Sequence, residues 1–139
     1  MKFEQSAGAV VFLKEKESIK YLILQYAAHH WDFPKGHIEK GEEELETVKR
    51  ETQEETGITD LSIVPDFKEK IAYFFSADKE KIKKEVVFYL AQTRTKAVKR
   101  SFEHEDFLWL PYDEACDKVT FKTAKDILKK ANDFLESKK

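Results

Sequence analysis

Two apolar runs open the chain. Residues 3 to 14 carry Ala7-Gly8-Ala9-Val10-Val11-Phe12-Leu13, and residues 18 to 25 read SIKYLILQ, with only the charged KEKE between them. Short runs bounded by a charged turn predict two strands. Apolar residues fill consecutive positions rather than alternate ones, so both faces of these strands should be covered. Further on, the pattern predicts short strands over 61–64 and 67–75, a polar loop ADKEKIKK, and a strand over 85–93, the last three forming a hairpin. A polar link over 94–105 precedes a strand DFLWL, and Pro111 with YDEACDK predicts a turn and a short helix. Over 121–136 the apolar positions Ala124, Ile127, Leu128, Ala131, Phe134 and Leu135 recur at helical spacing, which predicts a closing amphipathic helix.

Between these halves the pattern changes character. From Glu42 to Thr56 there is neither Pro nor Gly, strong helix formers dominate, and Gly57 falls where a left-handed residue would end a helix. At about 100° per residue, Leu45, Val48 and Thr52 share a sector that should face a core. Glu51, Glu54 and Glu55 occupy the neighbouring sector, so three carboxylates converge on a small volume. Like charges so close repel unless a cation sits among them. Oxygen ligands of full negative charge suit a hard divalent ion, Mg²⁺ or Mn²⁺, which would hold and polarise phosphate. The competing reading of an acidic helix is a solvated charged face.

Composition narrows the class. Hydrophobic residues at 41% and charged residues at 37% describe a globular chain, and 139 residues fit a single domain over 1–139 with a core of its own. No apolar run approaches the ~18 residues a membrane span needs, and the first strand is too short, and lacks a cleavage site, to be a signal peptide. A net charge of −2 argues against bulk nucleic-acid or membrane-surface binding. The single cysteine, Cys116, rules out an internal disulfide, suits a reducing cytoplasm and should serve packing. No oligomeric state is inferred.

The wider spacing decides between the two readings of the acidic helix. Gly36, five residues, Glu42, seven residues, then Arg50-Glu51-Thr52-Gln53-Glu54-Glu55-Thr56-Gly57-Ile58 matches the Nudix box (G, x5, E, x7, R-E-U-x-E-E-x-G-U, U apolar) except for Thr52 at an apolar position. The chain therefore resembles the Nudix hydrolases, which cleave a nucleoside diphosphate linked to another group. HHWDFPKGHIEKGE, RETQEETGI, FKEKIAY and the EH-x3-WL pattern from Glu103 extend the resemblance, over about residues 7 to 128, to the branch of asymmetrical diadenosine tetraphosphate hydrolases. The resemblance implies an α/β fold, an α/β/α sandwich with a mixed sheet and the box as a loop-helix-loop at its mouth. It implies metal-dependent attack of water on a phosphoanhydride, releasing ATP and AMP from diadenosine tetraphosphate. Other Nudix substrates stay open as alternatives: an RNA 5′-triphosphate end, a nucleoside triphosphate or a diphosphoinositol polyphosphate. A nucleotide-sensing module without turnover also stays open.

Carried over residue by residue, the resemblance makes Glu51, Glu54, Glu55 and the carbonyl of Lys35 metal ligands. Arg50 orients the carboxylates, and Glu42 braces the loop or favours the helix dipole. Glu103 is the candidate proton acceptor, with Glu105 as its fallback. A polyphosphate needs further cations, for which Lys35, His30, His37 and the Lys81, Lys83, Lys84 cluster are candidates, Lys84 first among the loop lysines. The competing reading makes both His29 and His30 ordinary polar residues of a loop. Adenine needs stacking surfaces, for which Tyr73 and Phe121 are candidates against the alternative of core packing. Trp31 and Trp109 are read as core or rim.

Overall fold

A computed structural model describes residues 1–99 and 104–138, with the side chains of His104 and Glu105 excepted. Strand β1 (Lys2–Glu15) turns back into β2 (Ser18–Tyr26), and a single 3-10 turn leads to the two short strands β3 (Trp31–Asp32) and β4 (Lys35–His37). Helix α1 (Glu44–Thr56) follows, then the hairpin β5 (Ser62–Ala77) and β6 (Glu80–Thr93), β7 (His104–Leu110), and helices α2 (Tyr112–Lys118) and α3 (Lys122–Ser137). The strands form one mixed sheet. Strand β1 lies parallel to β6 along most of its length, and every other pairing is antiparallel.

Consecutive apolar positions do have both faces covered. Val10, Phe12, Tyr21, Ile23, Val86, Phe88 and Leu90 pack under α2 and α3 with Ala115, Ala124, Ile127 and Leu128. Their alternates Ala7, Ala9, Val11, Leu22, Leu24, Val87 and Ala91 pack on the opposite face with Val48 of α1. Cys116 is partly buried against the first of these clusters, as a packing residue should be. The result is the expected α/β/α sandwich.

Three expectations need correction. The segments 61–64 and 67–75 form one strand, β5, whose register with β6 breaks between Ile63 and Lys68, where Pro65 lacks an N–H and Asp66 has φ 71°. The polar loop ADKEKIKK shrinks to a turn at Asp78 and Lys79, both at positive φ, because this hairpin pairs right up to Ala77↔Glu80. Helix α1 begins two residues after Glu42. Glu43 caps it, its side chain accepting from the backbone of Glu46 while the Glu46 side chain accepts from the backbone of Glu43. Gly57 ends the helix as expected, at φ 79°.

Candidate active site

The start of the box is held by the sheet. Strand β4 pairs with β1 in the register Ser6↔His37, Ala7↔Gly36 and Gly8↔Lys35, so Lys35 and Gly36 cannot drift away from α1. Helix α1 then lays Glu51 directly over Gly36. A Cβ on residue 36 would come within 2.0 Å of the Glu51 carboxyl carbon and Oε2. Glycine is required there for space, and that space belongs to a carboxylate.

The three carboxylates of the acidic sector differ sharply in environment. Glu55 is fully buried; its Oε1 accepts from the backbone N–H of Lys35 at 3.0 Å and its Oε2 lies 2.8 Å from the Tyr26 hydroxyl. Glu51 is buried, 3.4 Å from Arg50 Nη1, and Glu54 is exposed, 3.3 Å from the same atom. Leu45, expected at the core with Val48 and Thr52, is 38% exposed; it lies over a hollow between α1 and Tyr89, while the other two are fully buried.

Arg50 is the hub of this surface. Its Nε and Nη2 reach Glu42 Oε2 and Oε1 at 2.7 and 3.0 Å, and Nη2 also donates to the carbonyl of His37. Glu42 in turn accepts from Thr47 Oγ1 and from the backbone N–H of Glu39. Glu42 is thus a brace between the loop and the helix. Hydrogen bonds from Arg50, Thr47 and Glu39 hold its carboxyl at a pKa of about 2, below the ordinary 4.5. Glu42 likewise pushes the Arg50 guanidinium up. Burial first, and then the charge of Glu55, pushes the Tyr26 phenol well above its ordinary value.

Glu51, Glu54 and Glu55 line a cavity of about 470 Å³ together with Tyr26, Lys35, Gly36, His37, Arg50 and Lys84. Among the described residues, no three His, Cys, Asp or Glu side chains stand close enough to enclose an ion as they are placed. The convergence read from the helix is therefore looser than expected, because Arg50 lies between Glu51 and Glu54. The donor chemistry still fits a hard divalent cation: all-oxygen, anionic, and with room reserved for Glu51 by Gly36. Lys84 is half-buried here; burial first, and then nearby Lys35, depresses its pKa, with Glu4 opposing.

A second cavity, of about 250 Å³, is lined by Asp32, Lys35, Ile71, Tyr73, Phe88, Phe121, Thr123 and Ala124. It brings the two expected stacking residues, Tyr73 and Phe121, to one place. Lys35 lines both cavities, with its ammonium 2.9 Å from Asp32 Oδ2, and Lys84 pairs across the hairpin with Tyr73. The two cavities therefore adjoin.

Most of the other candidates line neither cavity. Lys81 and Lys83 alternate with Lys84 along β6 and point away from the cavities, Lys81 over the Phe74 ring and Lys83 near Glu85. His30 lines neither cavity and packs between the rings of Tyr26 and Phe121. His37 does line the acidic cavity, exposed and 3.6 Å from Glu4, whereas His29 lies in the exposed turn before His30. Trp31 sits under Lys118, and Trp109 donates to the carbonyl of Lys96. Glu103 lies outside the described residues, as does the side chain of Glu105. Tyr26 was not singled out by sequence. The signal was available, since period two along β2 puts Tyr26 on the face of Leu22 and Leu24, the face α1 covers.

A model of the NUDIX domain matches residues 2–131, and the chain belongs to the Nudix family. Within that family it is 36% identical to the bis(5′-nucleosyl)-tetraphosphatase (asymmetrical) of Sus scrofa, over 94% of this chain and 95% of the relative. It is 33% identical to the enzyme of the same name from Caenorhabditis elegans, over 94% and 96%. The crystal structure of a C. elegans Ap4A hydrolase binary complex superposes with a TM-score of 0.85 at 32% identity, covering 96% of this chain and 98% of that one. The E. coli dihydroneopterin triphosphate pyrophosphohydrolase, with a TM-score of 0.74 at 16% identity, shares the fold.

Proposed function

We propose that this chain is an asymmetrical bis(5′-nucleosyl)-tetraphosphatase, hydrolysing diadenosine tetraphosphate to ATP and AMP. The observation that carries the reading is the junction of an acidic cavity and an aromatic cavity at Lys35. A dinucleoside polyphosphate needs that combination: acidic groups to hold metal, with lysines beside them, for the phosphates, next to a flat apolar wall for a base.

Glu51, Glu54 and Glu55, with the carbonyl of Lys35, would hold Mg²⁺ or Mn²⁺, which when bound neutralises phosphoryl charge and activates water. Arg50 orients Glu51 and Glu54 and ties them through Glu42 to the loop. Lys35 and Lys84 supply positive charge to the phosphate chain, and the half-buried setting of Lys84 strengthens each contact it makes. Tyr73 and Phe121 offer stacking faces to adenine, and His30 backs Phe121 from outside. Glu103 is proposed as the proton acceptor. We place the protein, as one catalytic domain, in the cytoplasm, where this substrate class and the thiol of Cys116 are at home.

The test is product analysis. Incubation with diadenosine tetraphosphate and Mg²⁺ in ¹⁸O-water should yield ATP and AMP, with the label marking the attacked phosphorus. Two ADP molecules would contradict asymmetric cleavage. Faster turnover of 5′-triphosphorylated RNA would move the assignment to another Nudix substrate, and tight nucleotide binding with no turnover would make the chain a sensor. Glu55→Gln should lower turnover by roughly 10²-fold or more, as loss of one full charge from a metal site implies.

A further inference from the structure

Two donors from different elements grip the buried carboxylate of Glu55. The backbone N–H of Lys35, in β4, takes Oε1 at 3.0 Å, and the hydroxyl of Tyr26, at the end of β2, lies 2.8 Å from Oε2. Both donors are neutral. An ammonium or guanidinium at either position would cancel the charge that a divalent ion needs, as Arg50 partly does for Glu54. A phenol fixes the plane of a carboxylate and leaves its charge in place.

Tyr26 is itself held from behind. Its backbone N–H donates to the carbonyl of His30 at 2.8 Å, closing a turn in which Ala28 and His29 adopt φ 65° and 60°. Side chains rarely adopt that backbone region, so the turn persists because its surroundings impose it. The turn brings the His30 ring onto the Tyr26 ring, centroids 5.7 Å apart and planes within 19°, with Phe121 on the far side of His30 at 5.4 Å. A ring fixed on one side by a stack and on the other by a buried carboxylate has little freedom to wander.

We propose that Tyr26 is a positioning residue: its hydroxyl aims the Glu55 carboxylate at the divalent ions, and it acts on the reaction only through that carboxylate. The inference rests on the reading of Glu55 as a metal ligand. It adds a residue that lies outside the box and whose role is to hold a ligand, not to be one.

Tyr26→Phe removes the hydroxyl and keeps the ring and its stack. Two measurements test it, beginning with the Mn²⁺ dissociation constant of the wild type, Tyr26→Phe and Glu55→Gln without substrate, read from the electron paramagnetic resonance signal of free Mn²⁺. The second is the Mg²⁺ dependence of diadenosine tetraphosphate hydrolysis. Tyr26→Phe should bind Mn²⁺ about 10- to 100-fold more weakly, the usual cost of losing a group that orients a ligand. Its turnover should recover as Mg²⁺ is raised, with the substrate KM at saturating Mg²⁺ unchanged. Wild-type Mn²⁺ affinity in Tyr26→Phe, or a loss of turnover that added Mg²⁺ does not restore, would overturn the proposal. If Glu55→Gln also binds Mn²⁺ like the wild type, Glu55 is no ligand, and the reading of the site falls together with the role of Tyr26. If Glu55→Gln loses Mn²⁺ while Tyr26→Phe keeps it, the inference about Tyr26 alone fails.

Discussion

Replacing Gly36 by alanine separates the chemistry of the site from the stability of the fold. The added Cβ would lie 2.0 Å from the carboxyl carbon and Oε2 of Glu51 and 2.3 Å from Oε1. Comfortable contacts between such atoms need about 3.5 Å, so the carboxylate must retreat by roughly 1.5 Å. A misplacement of about 1 Å at a reacting centre can cost on the order of 10² in rate, so Gly36→Ala should lower kcat by roughly 10²- to 10³-fold. The fold should bear the change better, because the clash falls on the end of a flexible side chain. One off-rotamer torsion and a weakened contact to Arg50 together cost about 1–2 kcal/mol, a fall in Tm of roughly 3–10 °C for a chain this size. Gly41→Ala supplies the control. Residue 41 has φ 81° and nothing within 4 Å of an added Cβ, so alanine there meets backbone strain alone, worth about 1–2 kcal/mol. Both variants should lose similar stability in thermal unfolding, and only Gly36→Ala should lose turnover with Mg²⁺. Wild-type turnover in Gly36→Ala, or an equal loss in Gly41→Ala, would refute the reasoning.

Two further outcomes follow from neighbouring residues. The Glu42 carboxyl titrates at about 2 in the folded chain against an ordinary 4.5, so its stabilising effect is complete above 4.5 and disappears as the pH falls towards 2. The gap in Tm between wild type and Glu42→Gln should therefore be constant near neutrality and close within that acidic window; a gap that persists at its lower end would count against the brace. Thr52 is fully buried, and its Oγ1 has no hydrogen-bond partner among the described residues. Thr52→Val, of the same shape, removes a desolvated hydroxyl and should raise stability by about 1 kcal/mol, or roughly 2–5 °C in Tm, with turnover unaffected.

Much of this architecture was legible because it rests on local or periodic signals. Helix α1 is written in strong helix formers and stopped by a glycine that does adopt positive φ. The two-sided burial of β1 and β2 is written in consecutive apolar positions. Leu45 shows where periodicity runs out. Angle around a helix says which face a residue is on, not whether the sheet extends beneath it, and under Leu45 there is a hollow of about 440 Å³. Strand β4 was illegible for a related reason. Lys35-Gly36-His37 carries no strand pattern of its own and becomes a strand only because residues 6–8 pair with it across the fold.

The same distinction applies at the site. Helical spacing put Glu51, Glu54 and Glu55 in one sector, but it could not tell them apart, because their differences come from other elements. Strand β4 supplies the backbone N–H on Glu55 and the glycine under Glu51, and strand β2 supplies Tyr26; Glu54 meets Arg50 at the surface. On the proposed reading of Glu55 as a metal ligand, its burial and the grip of the Lys35 N–H and the Tyr26 hydroxyl would ready it for an ion before one arrives. On the same reading Glu54, more than half exposed and held by an ion pair across one helical turn, would exchange Arg50 for a metal at small cost, since exposed pairs are worth about 1 kcal/mol or less. In that arrangement one carboxylate is fixed and one adapts, and Arg50, anchored on Glu42, would keep the adaptable one from wandering in the absence of a metal.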